Sequence, residues 1–266
     1  MVLTAGRLAK LAQWEGLKDK WFLIAIVTLT VCNQPQEIPK LYHYALNVKH
    51  LNAKADNDLY SKVDNILKKY AEIKALGTDF NYSPYDPNLK QEMFKTTDKF
   101  RESILKTAAL SALPKFINSM MQLKDNTPVN LRSSVANRKP IKSWEDYVEM
   151  QERGKKYWDG VYTKISRRVE SQMASSYPDL WKYTIDDVYS PLLSYTDVLT
   201  PEETSLVVIS SLIPQDVNPQ LKGHLKGALN GGVAIETLRE TREMAIVVSK
   251  WCDNKYVVNE KGVASI

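Results

Sequence analysis

The chain has 266 residues, of which 44% are hydrophobic and 25% charged, with a formal net charge of +5. That length holds one large domain or two small ones around a sizeable core, and that balance excludes a disordered or fibrous chain. The basic residues are dispersed, without aromatic–basic alternation, so the charge implies no nucleic-acid partner and suits small anionic ligands instead.

With 10 glycines and 12 prolines as punctuation, long helices are favoured over many short strands. The first helix is read within residues 3 to 14, where Leu3, Leu8, Leu11 and Trp14 recur at three- and four-residue steps. The apolar run "WFLIAIVTLTVC", 21 to 32, falls short of the about 20 residues a bilayer span requires. It is read as a buried helix stopped near Asn33 and Pro35, and no membrane span is expected. Pro39 opens the next helix, with Leu41, Ala45 and Val48 on one face. Residues 57 to 76 repeat apolar positions at Leu59, Val63, Ile66, Leu67, Tyr70 and Ile73, and Gly77 closes that helix.

A two-proline loop is expected over 81 to 88. Two helical pieces then meet at Pro114, and the polar stretch 125 to 143, with Pro128 and Pro140, reads as a linker that is mobile or wraps the surface. Trp144 to Ser175 reads as one long amphipathic helix, in which Trp144, Tyr147, Tyr157, Trp158 and Tyr162 are spaced as a packing stripe and "KISRR", 164 to 168, as a solvated face. A shorter helix follows Pro178, with a turn at Ser190-Pro191. Thr200 and Glu203 have capping-box spacing around Pro201. Three further helices are read, one ending at Pro214, one from Asn218 with Pro219 in its first turn to Gly231-Gly232, and one from about Ile235 to Trp251.

Two segments echo one another: "FLIAIVTLTVCNQPQEIPKLYHYALNVK" and "SLVVISSLIPQDVNPQLKGHLKGALNGG". Each is an apolar helix, a polar proline break and an amphipathic helix ending in Ala-Leu-Asn. The expected architecture is therefore all-α, built as two related helical-hairpin halves, residues 1–124 and 144–266, joined by the linker 125–143.

The segment 199 to 251, with "QLKGHLKGALNGG" and "ETLRE" at its centre, resembles the carboxymuconolactone decarboxylase-like, or alkylhydroperoxidase D (AhpD)-like, helical proteins. The middle of the chain is similar to the long two-part fungal members, some of them peroxisomal or mitochondrial. The resemblance implies an AhpD-like helical fold, a homo-oligomer, a small-molecule ligand and no cofactor or metal. It also implies a peroxisomal location, with mitochondrial or cytoplasmic alternatives, and the closing "ASI" resembles the peroxisomal S-K-L address without its basic residue.

For chemistry the resemblance points to His224. The peroxidase branch feeds a C-x-x-C thiolate through a glutamate and a histidine. Here the corresponding positions hold Ser205, Val217 and Gln220, so thiol peroxidase activity at this site is not expected. The decarboxylase branch implies His224 as acid/base on a small organic acid or lactone, with Lys222, Lys226 or Arg239 holding the substrate carboxylate. Against this stands a non-catalytic binding or scaffold protein that keeps the fold and the oligomer, with His224 a structural hydrogen-bonder. His43 and His50 read as structural or solvated. Cys32 and Cys252, 220 positions apart, suggest a reducing compartment, Cys32 as a buried small hydrophobe with no second cysteine near it and Cys252 as more exposed.

Overall fold

The computed structural model describes residues 1–78, 83–257 and 259–266; the start of the loop expected over 81 to 88 lies outside the described residues. The chain is all-α, with no strand among the described residues. In order the helices are α1 (Ala5–Ala12), α2 (Trp21–Val31), α3 (Ile38–His50), α4 (Asn57–Ala75), α5 (Lys90–Lys106), α6 (Leu113–Asp125), α7 (Trp144–Tyr162), α8 (Ser166–Ser176), α9 (Pro178–Tyr183), α10 (Pro201–Leu212), α11 (Asn218–Asn230) and α12 (Ile235–Trp251). No described helix is long and apolar enough to cross a membrane.

Every residue of α2 is buried, so this helix has no solvent face. It lies at the centre of the fold, against α1, α3, α5, α6, α10 and α12. Each large aliphatic side chain fully buried in this way contributes about 1.5–3 kcal/mol. Helix α10 is nearly as enclosed, buried at Glu203, at Thr204 and from Leu206 through Leu212. The echoing segments are α2–α3 and α10–α11, and they pack through their first helices. One hydrophobic cluster runs from Val2 to Val263, crossing both sides of the 125–143 segment.

The helix boundaries follow local chemistry. Prolines lie in the first turns of α3, α6, α10 and α11, where a missing N–H costs nothing. Thr200 Oγ1 accepts from Glu203 N at 3.1 Å and Glu203 Oε2 from Thr200 N at 3.0 Å, a reciprocal cap. The same carboxylate takes a hydrogen bond from Lys99 Nζ at 2.5 Å, which ties the start of α10 to α5. Gly77 ends α4 and Gly232 follows α11 at φ +68° and +85°, a region that disfavours a Cβ.

Two expected elements differ. The long helix read from Trp144 breaks at Thr163, whose φ of 45° and ψ of −123° are far from helical for a β-branched residue. The turn expected at Ser190-Pro191 is instead the end of a wide π-helical segment, Thr184–Leu193, that continues α9. Ser194 N reaches back five residues to Tyr189 O at 2.8 Å. The wider winding relieves the clash that a proline ring makes with the carbonyl four residues earlier in an α-helix, which admits Pro191.

This segment packs on α7 at close range because residue 154 is glycine. A Cβ there would sit 1.9 Å from Ser190 Oγ and 2.5 Å from Ser190 Cα. The 125–143 segment wraps the surface and is pinned by Arg138, whose Nη1 and Nη2 donate to the Glu102 carboxylate at 3.0 and 2.6 Å. Its Asn137 carbonyl accepts from Tyr195 Oη at 3.0 Å.

Candidate functional site

Along α7, Arg153, Lys156, Tyr157 and Gly160 recur at helical spacing and so share one face. That face, the start of α10 and the end of α11 enclose a cleft of about 470 Å³. Glu202 and Ser205 line it from α10, Gly227, Asn230 and Gly231 from α11 and its cap, and Ser194 and Thr196 from the chain after the π-helical segment.

The glycines shape one wall. A Cβ at Gly227 would lie 2.6 Å from Val161 Cγ1 and 3.2 Å from Val161 O, so α11 approaches α7 only without a side chain there. Asn230 Nδ2 donates to the same Val161 carbonyl at 3.1 Å, which holds the two helices in that position. Opposite, the Ser205 hydroxyl donates to Pro201 O at 3.0 Å and stands beside the Tyr157 phenol. Burial pushes the Tyr157 phenol well up and the Ser205 contact partly offsets it, so the group stays protonated and able to donate.

Charge in the cleft favours anions. Arg153 is held by Ser194 Oγ and Ser190 O, each at 3.1 Å. Lys156 has no ion-pair partner among the described residues. The one carboxylate on the wall, Glu202, is already paired with Lys20 at 2.6 Å.

His224 lies one turn before Gly227 on the same side of α11, behind the cleft wall rather than on it. The residue is half-buried, its ring edge-on to Tyr162 at 6.2 Å and 66°. Burial of the imidazole pushes its pKa down to about 4, so the ring is neutral at neutral pH. Among the described residues no carboxylate pairs with it. Beside it, the Tyr162 and Tyr189 hydroxyls are 3.3 Å apart, packed with Trp158. Of the aromatic stripe read on α7, Trp158 is thus deeply buried, whereas Trp144 is 71% exposed.

The structure brings none of Lys222, Lys226 and Arg239 against His224. The two lysines stand two positions either side of it, about 200° around the helix, and both are exposed. Arg239 is exposed on α12, 4.0 Å from Glu236. Of the positions equivalent to the peroxidase relay, Ser205 reaches the cleft, Val217 is half-buried just before α11 and Gln220 is exposed. His43 is a buried structural residue. Its Nε2 donates to Asn126 O at 2.8 Å and its Nδ1 accepts from Tyr85 Oη at 2.7 Å, and burial pushes its pKa to about 4. His50 bonds Thr96 Oγ1 at 2.8 Å and lies 3.6 Å from Glu92.

Two clusters escape a sequence reading. In the first, three cations cap the last four carbonyls of the π-helical segment, the groups a helix end leaves unpaired. Arg153 donates to Ser190 O, Arg138 to Pro191 O at 3.0 Å, and the fully buried Lys106 to Leu192 O and Leu193 O at 2.8 and 3.2 Å, and to Tyr195 O at 2.9 Å. Glu102, 3.6 Å from Lys106, supplies the counter-charge. Burial pushes the Lys106 ammonium down to about 8. Its sequence signal was a Glu102–Lys106 pair four apart on an otherwise buried stretch of α5. In the second, Cys32 is not isolated: Cys32 and Cys252 cap the carboxyl ends of α2 and α12, and Asn254 Nδ2, two residues past Cys252, reaches Cys32 Sγ at 3.8 Å.

The fold and the cleft define an all-α protein with a cation-bearing pocket of small-molecule size. The chain is 42% identical to peroxisomal protein 2 of Saccharomyces cerevisiae over 276 aligned positions, covering 94% of this chain and 95% of that protein. It is 39% identical to peroxisomal protein 2 of Schizosaccharomyces pombe over 154 positions, 58% of this chain and 70% of that one. The chain therefore belongs to the peroxisomal protein 2 family, and it is a peroxisomal protein. No family model matches it, and no solved structure does.

Proposed function

We propose that the cleft between α7, α10 and α11 binds a small organic acid or lactone, in a chain with the AhpD-like fold of the carboxymuconolactone decarboxylase-like proteins. The observation that carries this reading is the grouping of Arg153, Lys156 and the Tyr157 and Ser205 hydroxyls on one cleft of about 470 Å³. A carboxylate there takes charge-assisted hydrogen bonds from α7, and a neutral ester or ring oxygen accepts from the Tyr157 phenol. Gly231 presents no side chain to the cleft, so the ligand can approach the backbone at the end of α11.

The cations that serve this reading are Arg153 and Lys156 rather than Lys222, Lys226 and Arg239, none of which lines the cleft. A thermal-shift titration with succinate, adipate and a γ-lactone carboxylate tests it. Stabilisation of the wild type with affinity falling about tenfold in Lys156→Gln is expected, the loss of one charge-assisted hydrogen bond. Equal stabilisation of both proteins, or of neither, sinks the reading.

Acid/base catalysis through His224 is a second reading, favoured by the absence of a hydrogen-bond partner for the ring among the described residues. Release of carbon dioxide from the lactone carboxylate, lost in His224→Gln while binding persists, is its signature. Binding without turnover leaves a non-catalytic binding protein, the state that an imidazole of pKa about 4 favours near neutral pH. The homo-oligomer is supported by Leu113, Ile117 and Met121, which stand four apart along α6 and are 58%, 45% and 47% exposed. A light-scattering mass equal to the 30.3 kDa of one chain contradicts it.

A further inference from the structure

Cys32 and Cys252 occupy the same place in two helix ends. Each is the capping residue, Cys32 of α2 and Cys252 of α12, and each is followed by a left-handed residue, Asn33 at φ 55° and Asp253 at φ 54°. Both ends close by the same pair of hydrogen bonds. Gln34 N reaches Leu29 O at 2.9 Å and Asn33 N reaches Thr30 O at 3.0 Å; Asn254 N reaches Ser249 O at 3.1 Å and Asp253 N reaches Lys250 O at 3.0 Å. Because α2 and α12 pack together, the two capping side chains are neighbours: Asn254, two residues past Cys252, reaches Cys32 Sγ, and each thiol shifts the ionisation of the other. Both residues are partly exposed, so a small oxidant has access.

The surroundings distinguish the two sulfurs. Asn254 Nδ2 donates to Cys32 Sγ at 3.8 Å while also holding Pro214 O at 2.9 Å, and buried Ser249 lies on the same side. The Lys115 ammonium from α6 donates to Val31 O at 2.8 Å, setting a positive charge at the carboxyl end of α2, where the helix dipole alone would oppose a thiolate. Glu37 and Asp253 lie nearer Cys252 and disfavour its ionisation. The Cys252, Asn254 and Ser249 side chains beside it thus hold the Cys32 thiol below its ordinary value against burial, and Cys252 is raised, first by Cys32 itself and then by burial.

We propose that Cys32 and Cys252 are a redox-active pair that hydrogen peroxide converts to a reversible disulfide, clasping the end of α2 to the end of α12. The Cys32 thiolate attacks one peroxide oxygen; the O–O bond breaks, Cys32 becomes a sulfenic acid, and the departing hydroxide takes a proton to leave as water. The Cys252 thiol then attacks the sulfenic sulfur, the S–OH bond breaks, and a second water leaves. Two thiols are oxidised by two electrons and one peroxide is reduced to two waters. The site is separate from the His224 region, where the positions of a C-x-x-C hold Val217 and Gln220.

The full chain, reduced and then freed of reductant, is treated with equimolar hydrogen peroxide, denatured, alkylated and digested without reduction. The expected result is loss of both alkylatable thiols and one peptide pair joining Cys32 to Cys252, restored to two thiols by dithiothreitol. Oxidised full-length chain should also migrate faster in a non-reducing denaturing gel, since the disulfide joins residues 220 positions apart. Cys252→Ser should stop at a Cys32 sulfenic acid trapped by dimedone, and Cys32→Ser should give no such adduct. Two thiols that remain alkylatable after treatment, or a disulfide joining two chains, overturn the proposal, and both are read on the wild type, whatever the variants do.

Discussion

Acidification from about pH 7.5 to about pH 5 should destabilise the protein through two buried imidazoles. His224 and His43 both have folded pKa values near 4 against an ordinary 6.5. The unfolded chain therefore takes up the proton first. Stability from each group is fully present above 6.5 and is lost as pH falls toward 4. At about pH 5 the difference amounts to ~2 kcal/mol per histidine, an upper figure for His224 because that residue is only half-buried.

Urea unfolding at the two pH values measures the total, and His224→Gln isolates its share. The variant should lose less than the wild type between the two conditions, by up to ~2 kcal/mol, whatever its absolute stability. An unchanged acid loss in His224→Gln would refute the desolvated, neutral imidazole. The outcome bears on function, because a ring with a pKa near 4 holds no proton to donate at neutral pH, whereas one titrating near 6.5 could serve as acid and base.

Lys106→Met should cost ~3 kcal/mol in urea unfolding at neutral pH, since it strands three buried carbonyls while relieving the burial of one ammonium. A loss below ~1 kcal/mol would mean that water replaces the ammonium. Gly154→Ala should cost at least ~1–3 kcal/mol, because the new Cβ meets Ser190 backbone as well as its hydroxyl. Calorimetry should then show a midpoint lower by ~2–4 °C per kcal/mol, and an unchanged midpoint would place the two helices further apart.

Helix ends governed by a single residue or a short spacing were legible in the sequence. Pro39, Pro201 and Pro219 sit where first-turn prolines belong, Thr200 and Glu203 close their box, and Gly77 and Gly232 take the positive φ that the helix stops require. The break at Thr163 was not legible, because no glycine, proline or asparagine marks it. The wide turns around Pro191 were hidden for a related reason. Proline reads as a stop when the alternative is an α-helix, and only cations brought from α5, the 125–143 segment and α7 make its continued winding tolerable.

The same non-locality explains why the sequence pointed to His224 and not to the cleft. His224 belongs to a contiguous stretch of α11, so a motif can point to it. Arg153 and Lys156 lie on a helix with no motif of its own, and they gain a role only because Gly227 lets α11 settle against Val161 and because the Ser190 carbonyl anchors Arg153. Those contacts join residues 37 to 66 positions apart, a separation at which periodicity carries no signal. One of the two guanidiniums that cap the π-helical segment, that of Arg153, also lines the cleft, so the winding around Pro191 and the charge offered to a ligand share a side chain. An Arg153→Gln variant would therefore loosen the segment and weaken anion binding together, whereas Lys156→Gln, with no such structural bond, separates the two effects.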